Sequence, residues 1–137
     1  FDGEMISAGL GGQDALPDAT PFNDGVSNMV KYAFNMNLYE ADSKTMTQDG
    51  DSGLPVTFIH QVDGQTYLRV QFVRRKDSGL IYTPVKSNTL AAGSSVPLTG
   101  AIDVSSIDAQ WERVTIDEPC DLSTVSQCFG RVEITMP

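Results

Sequence analysis

The sequence predicts a mainly β fold, an antiparallel β-sandwich of about five to seven strands with one N-terminal amphipathic α-helix. The helix is expected over about residues 24–37, where apolar side chains recur at steps of three and four. In residues 54–136, apolar and polar side chains alternate with a period of two, which is typical of strands with one buried face. Turn signals separate these runs at intervals common in sandwiches.

Length and charge narrow the class of protein. A chain of 137 residues predicts a single domain over 1–137 with one real core. Eighteen acidic residues against nine basic ones give a formal net charge of −9. This balance argues against a general nucleic-acid binder or anionic-membrane binder, since both need a basic footprint. No apolar run reaches the length of a membrane-spanning helix, so no membrane insertion is expected.

The N-terminal third carries the helix. Residues 1–20 are rich in Gly, Ala and Asp and predict an extended entry segment. Asn23 or Asp24 stands where an N-cap acceptor is expected. Asn35 and Asn37 are candidates for the left-handed residue that ends a helix. The apolar face consists of Val26, Met29, Val30, Ala33 and Phe34.

Six segments of the remaining chain predict strands. Asp63-Gly64, between two β-rich runs, predicts a tight hairpin. In the second run, Leu68, Val70 and Phe72 should point inward, and the residues between them outward. A proline in the third run indicates an edge strand or a bulge. The segments are 54–61, 66–75, 80–87, 101–106, 111–119 and 129–136.

The two cysteines, Cys120 and Cys128, are best explained as a local disulfide. Two thiols cannot hold zinc alone, and the sole histidine, His60, is distant in sequence. Free buried thiols are the alternative. A disulfide would predict an oxidising, extracellular or periplasmic location.

Three blocks of the sequence resemble segments that recur, in the same order, near the C-terminus of large secreted bacterial proteins. They are PFNDGVSNMVKYAFNMNL, LRVQFVRRKDSGLIYTPVKSNTL, and WERVTIDEP followed by FGRVEIT. The resemblance spans about residues 20–136. It implies a C-terminal accessory β-sandwich domain of a kind found beside glycoside hydrolases, lyases, sulfatases and adhesin-like domains. It also implies a secreted or cell-surface location.

The resemblance bears on calcium. The family's helix entry often reads Asp-x-Asp-x-Asp-Gly, a calcium-loop pattern, but Thr20 and Phe22 replace two of the three carboxylates. Simple helix capping is therefore favoured, and no cofactor is expected. The alternative is a calcium site built from Asp18, Asn23, Asp24 and Asn28, with Asp14 as a further ligand.

No catalytic motif is present, so the chain is not expected to be an enzyme. Nucleophile, phosphate-loop and zinc-protease signatures are all missing from the sequence. Most carboxylates lie in turns, where capping explains them. His60 is more simply a strand residue than a base or a metal ligand.

Sugar binding is the sharper hypothesis, because a saccharide stacks its C–H face on an aromatic ring and needs polar groups beside it. Trp111 could instead anchor the core. The basic run Arg74-Arg75-Lys76 could bind a sulfated or carboxylated glycan. Cross-strand pairing with Asp77, Glu112 or Asp117 is favoured for this run. The candidate ligand-binding residues are Trp111, Tyr82, Tyr67, Arg69 and Arg113, with Tyr39 and Glu112 as further candidates.

The sequence thus predicts a non-catalytic extracellular accessory module, with polysaccharide binding as the leading function. The alternative is a structural or adhesive module, or a subunit of an extracellular assembly, joined through strand edges. Expected partners are a polysaccharide or other domains and subunits of a larger secreted protein.

Overall fold

The computed structural model describes residues 1–87, 96–119 and 129–136. These residues form seven strands in two antiparallel sheets, which confirms the mainly β, sandwich-like prediction. Each of the six segments predicted as strands overlaps one to within two residues at either end, and the seventh is a two-residue strand. The strands are β1 (Val56–Val62), β2 (Gln65–Arg75), β3 (Ile81–Ser87), β4 (Val96–Pro97), β5 (Ala101–Ser106), β6 (Trp111–Pro119) and β7 (Phe129–Thr135).

One sheet has the strand order β1-β2-β6-β5 and the other β4-β3-β7. The hairpin between β1 and β2 lies where it was predicted, with Val62 opposite Gln65. Asp63 and Gly64 both have positive φ, 51° and 78°, as a type I′ turn requires. The tight turn therefore fixes the register of β1 against β2.

Much of the core lies between the two sheets. Leu68, Val70 and Phe72 are buried on the inner face of β2, as their alternation predicted. On β7, a Cβ added to Gly130 would lie 2.9 Å from Val70 Cγ2, so glycine permits the close approach of the second sheet. The other face of the four-stranded sheet is consequently its outer face.

A short helix closes one end of the core. In α2 (Asn28–Ala33), Ala33 is fully buried, and Phe34 follows it at 2% exposure. The Phe34 ring meets the Phe72 and Tyr82 rings edge-on, with centroids 6.5 and 5.9 Å away. The helix therefore covers the apolar interior at the end where Phe72 of β2 and Tyr82 of β3 lie.

The helix is shorter than predicted, six residues rather than the 24–37 expected. Its N-cap is Ser27, whose Oγ accepts a hydrogen bond from Val30 N at 3.3 Å. Asn23 and Gly25 have positive φ, which places them in a turn before the helix. The predicted cap at Asn23 or Asp24 is therefore wrong. Asn35, at φ 57°, ends the helix in the left-handed conformation expected of it.

The prediction of an extended entry segment over residues 1–20 is also wrong in part. This segment contains α1 (Asp2–Ser7) and a 3-10 turn (Gly12–Ala15). Met5 is fully buried, and the Phe1 ring meets the Tyr32 ring edge-on at 5.4 Å. Because so short a helix is not stable alone, these tertiary contacts explain its presence.

Pro84 lies in β3, which is the central strand of the three-stranded sheet and not an edge. Its carbonyl accepts a hydrogen bond from Leu98 N at 3.1 Å, so its nitrogen also faces the β4 side. β4 ends one residue before Leu98. The N–H that proline lacks would therefore have pointed beyond the end of β4, where the β3–β4 ladder stops. The pairing of β3 with β7 is intact.

Neither helix of the described residues has the length or apolar character to cross a membrane. The predicted disulfide between Cys120 and Cys128 lies outside the described residues and stays a prediction.

Candidate ligand-binding site

A shallow groove runs across the outer face of the four-stranded sheet. Its volume is about 340 Å³, within the range of small-molecule sites. Strands β2, β6 and β5 supply its floor and one side, and the loop that carries Asp49 supplies the other. We call it the sheet-face groove, lined by Asp49, Arg69, Gln71, Ala101, Ile102, Asp103, Thr115 and Asp117.

Arg69 and Asp117 form a two-pronged salt bridge in the floor of the groove. Arg69 Nε donates to Asp117 Oδ1 and Nη2 to Oδ2, both at 2.7 Å. The hydrogen bonds from Arg69 hold the pKa of Asp117 below its usual range, and the same contact raises the pKa of Arg69. The two side chains are 21% and 25% exposed, so a ligand can reach them in a fixed geometry.

Gln71 joins the floor to the loop. Its side chain donates from Nε2 to Asp49 Oδ1 at 2.8 Å and to Thr115 Oγ1 at 3.1 Å. Its Oε1 accepts from Asp49 N at 2.9 Å. Gln71 is only 1% exposed, which makes it a support for Asp49 rather than a ligand contact.

Arg113 holds the same loop from the next position along β6. Its Nε donates to the carbonyl of Gly50 at 2.7 Å. Arg113 lies opposite Val73, four pairs along the ladder from Arg69 and Asp117 and on the same face of the sheet. The sequence placed Arg113 among the binding residues, and the structure gives it a positioning contact beside the groove.

An apolar depression of about 530 Å³ continues the groove beyond Asp117 and Ala101, which line both. It is lined by Tyr67 and Pro119, which face each other across β2 and β6, and by the 44% exposed Val62. Tyr67 is also opposite His60 on β1. One surface therefore holds an aromatic side chain and an ordered pair of charged side chains.

Two of the predicted binding residues lie elsewhere. Trp111 was predicted either to bind a sugar or to anchor the core. It is 5% exposed and belongs to the core, so the structure shows the second role. Tyr82 donates its hydroxyl hydrogen to the carbonyl of Ala33 at 2.7 Å and packs on Phe72. Trp111 is thus buried and Tyr82 is partly buried with its hydroxyl engaged, which leaves Tyr67, Arg69 and Arg113 together on the outer face.

The basic run Arg74-Arg75-Lys76 is divided among three environments. Arg74 pairs with Glu112 across the sheet at 2.7 Å, as expected. Lys76 Nζ donates to Ser106 Oγ and to the carbonyl of Asp108, each at 2.7 Å. Arg75 donates to the carbonyl of Tyr32 on α2, so the three side chains do not form one basic patch.

Asp49, Gln71, Asp103 and Thr115 were not identified as site residues. The alternation along β2 indicates that Gln71 points outward, and its cross-strand partner Thr115 lies on the same face. Asp49 precedes Gln71 by 22 residues in the sequence, and only the tertiary structure brings its loop onto the sheet.

Asp24, one of the residues proposed for calcium, already has a protein cation as its partner. Lys31 Nζ lies 2.5 Å from Asp24 Oδ2, and the carboxylate also accepts from Val26 N and Asp42 N. Asn28 donates from Nδ2 to two backbone carbonyls, while its buried Oδ1 has no hydrogen-bond partner in the described part of the chain. Asp18 and Asn23 are exposed. No group of three or more His, Cys, Asp or Glu residues forms a metal-binding cluster within the described part of the chain.

No protein-family model matches the sequence, and no curated protein matches it at a significant level.

Proposed function

We propose that the chain is a non-catalytic, extracellular carbohydrate-binding module that holds a polysaccharide segment in the sheet-face groove. The observation that carries the proposal is the Arg69–Asp117 pair beside the accessible Tyr67 side chain on one open surface. The resemblance to accessory domains of secreted bacterial proteins, the acidic surface and the predicted disulfide support an extracellular location.

The chemistry of the groove suits a sugar. A pyranose ring presents an apolar C–H face and a rim of hydroxyl groups, which need an aromatic surface and nearby donors and acceptors. Tyr67 supplies the first, and Arg69, Asp103 and Asp117 supply the second. Because Arg69 and Asp117 hold each other in place, little side-chain entropy would be lost on binding.

An open groove suits an extended polymer better than a small enclosed metabolite. The two depressions are continuous through Ala101 and Asp117, so neighbouring sugar units could contact the polar and the apolar part together. Asp103 and Ala101 are exposed on β5, which leaves the groove open on that side. We therefore expect recognition within a chain rather than of a free monosaccharide.

The proposal is tested on the full chain with a glycan array, followed by calorimetric titration of the best oligosaccharide. Tyr67→Ala should weaken binding about two- to tenfold, the loss expected for one aromatic contact. Ile81→Ala is the control, because Ile81 is 50% exposed on β3 and lines neither the sheet-face groove nor the apolar depression. Absence of any glycan binding, or equal affinity of wild type and Tyr67→Ala, would contradict the proposal.

A second candidate function, assembly through a strand edge, is favoured by β5. All six residues of this edge strand are exposed, among them Ile102 at 64% and Val104 at 46%. An exposed apolar edge can add a strand from a partner. Light scattering across a concentration series tests this function: growth in mass that Val104→Lys abolishes would support it, and a constant monomer mass would exclude self-assembly.

A further inference from the structure

A second cavity, of about 360 Å³, lies below the C-terminal end of α2. None of its lining residues lines the sheet-face groove. We call it the Arg75 cavity; the lining residues that matter here are Glu4, Asn35, Asn37, Tyr39, Lys44 and Arg75.

Arg75 is held rigidly at this cavity. Its guanidinium carbon lies 3.9 Å from the centroid of the Tyr32 ring and 4.4 Å from that of Trp111. Nε and Nη2 both donate to the carbonyl of Tyr32, at 3.3 and 3.2 Å. The side chain is only 15% exposed. A guanidinium fixed in this way is already ordered for a ligand.

One edge of this guanidinium has no close partner among the described residues. Nη1 lies 4.0 Å from Glu4 Oε1, which is too long for a hydrogen bond. The Glu4 side chain is 50% exposed, on the six-residue helix α1. Glu4 is therefore a weakly held counter-charge that a stronger anion can displace.

Lys44 adds a second positive charge. Within the described residues its ammonium has no hydrogen bond or salt bridge, whereas Lys31, which also lines the cavity, is paired with Asp24. The nearby carboxylates of Glu40 and Asp42 accept hydrogen bonds from Asn37 and do not line the cavity. Arg75 and Lys44 thus face one opposing carboxylate, in a chain whose net charge is −9.

We propose that the Arg75 cavity binds the carboxylate or sulfate group of an acidic sugar. Arginine offers two parallel donors to such a group, and Lys44 adds a point charge. The Tyr39 ring, 64% exposed at the cavity wall, provides a surface for the sugar ring. Glu4 competes with the ligand for Arg75. The site is separate from the sheet-face groove, so either proposal can fail alone.

The sole tryptophan makes the test direct, because Trp111 contacts the guanidinium that would bind the anion. Its fluorescence is followed as the full chain is titrated with glucuronate, glucose 6-sulfate or inorganic sulfate at constant ionic strength. Glucose is the neutral control. A saturable change with glucuronate identifies a carboxylate site, and one with glucose 6-sulfate a sulfate site. A response to inorganic sulfate alone, an equal response to glucose, or no response would overturn the proposal.

Two variants define the contacts. Glu4→Gln removes the competing charge and should tighten binding about two- to fivefold, and Lys44→Gln should weaken it by a similar factor. Arg131→Gln, which removes an exposed charge on β7, is the matched control for Lys44. If Glu4→Gln binds no more tightly than wild type, or if Arg131→Gln weakens binding as much as Lys44→Gln, the assignment is wrong. Neither Glu4 nor Lys44 is buried, so these variants should fold.

Discussion

Lys31 Nζ lies 2.5 Å from Asp24 Oδ2, in a salt bridge whose side chains are 0% and 4% exposed. The ammonium also donates to the carbonyl of Glu40 at 3.1 Å and lies 4.9 Å from the centroid of the Phe22 ring. One buried cation therefore joins the turn before α2, the helix itself and the segment that follows it.

Replacement of Lys31 by methionine should destabilise the fold by about 3–5 kcal/mol, because Asp24 would be left as a buried charge without its partner. Urea denaturation measures the change. Arg131→Gln, which breaks the exposed pair with Glu133, should cost at most about 1 kcal/mol.

A double-mutant cycle separates the pair from its surroundings. The variant Asp24→Asn/Lys31→Met should lose less stability than the two single variants added together, since no unpaired charge remains. Additive losses would show that Asp24 and Lys31 are not energetically coupled.

The fold should lose stability in acid because of Asp24. Burial alone would raise the pKa of Asp24, but hydrogen bonds from Lys31 and from the amides of Asp42 and Val26 outweigh it and lower the pKa from 3.8 to about 2. A carboxylate whose pKa is lower in the folded chain than in the unfolded chain stabilises the fold at pH values above its unfolded pKa. For Asp24 this stability is lost as pH falls from about 4 to about 2. Thermal unfolding between pH 2 and pH 6 measures the loss, and Asp24→Asn should flatten the profile in this window.

Glu118 should contribute to the same acid sensitivity. Its burial opposes ionisation, yet a hydrogen bond from Lys86 and two from the amides of Thr99 and Gly100 lower its pKa. The sign is the same as for Asp24, so Glu118→Gln should also flatten the acid limb of the profile. A profile identical to that of the wild type would show that Glu118 titrates alike in the folded and unfolded chains.

The melting temperature should not respond to calcium or to a chelator. Asp24 already pairs with an ammonium, so a divalent ion would have to displace Lys31 from a buried position. Calorimetry with calcium chloride and with EDTA measures this. A rise in melting temperature with calcium, relative to magnesium at the same concentration, would contradict the expectation.

Gln71 should control the wall of the sheet-face groove. Gln71→Leu would remove both bonds to Asp49 and should cost about 1–3 kcal/mol. Hydrogen exchange of the Asp49 amide should accelerate, because that amide donates to Gln71. Thr115→Val, which removes only the 3.1 Å bond to Gln71, is the control and should leave this amide protected. Unchanged exchange in Gln71→Leu would show that other contacts hold the loop.

The sequence predictions were correct where a feature depends on residues close together in the chain, and they failed where it depends on distant residues. Alternation along β2 placed Leu68 and Phe72 correctly, because the pleat is a local property of the strand. The turn at Asp63-Gly64 was also local and correct. Helix α1 was missed because its stability comes from contacts such as that between Phe1 and Tyr32, 31 positions apart.

The sequence by itself determined the strands, the tight turn and the faces that enter the core, since each depends on neighbours along the chain. Only the tertiary structure decided that Trp111 is an anchor, that Lys31 neutralises Asp24 and that Arg69 meets Asp117. Arg69 and Asp117 are 48 residues apart, and their meeting depends on the order and register of strands β2 and β6. Side-chain periodicity cannot encode that register, because every shift by two residues preserves the same pattern of faces.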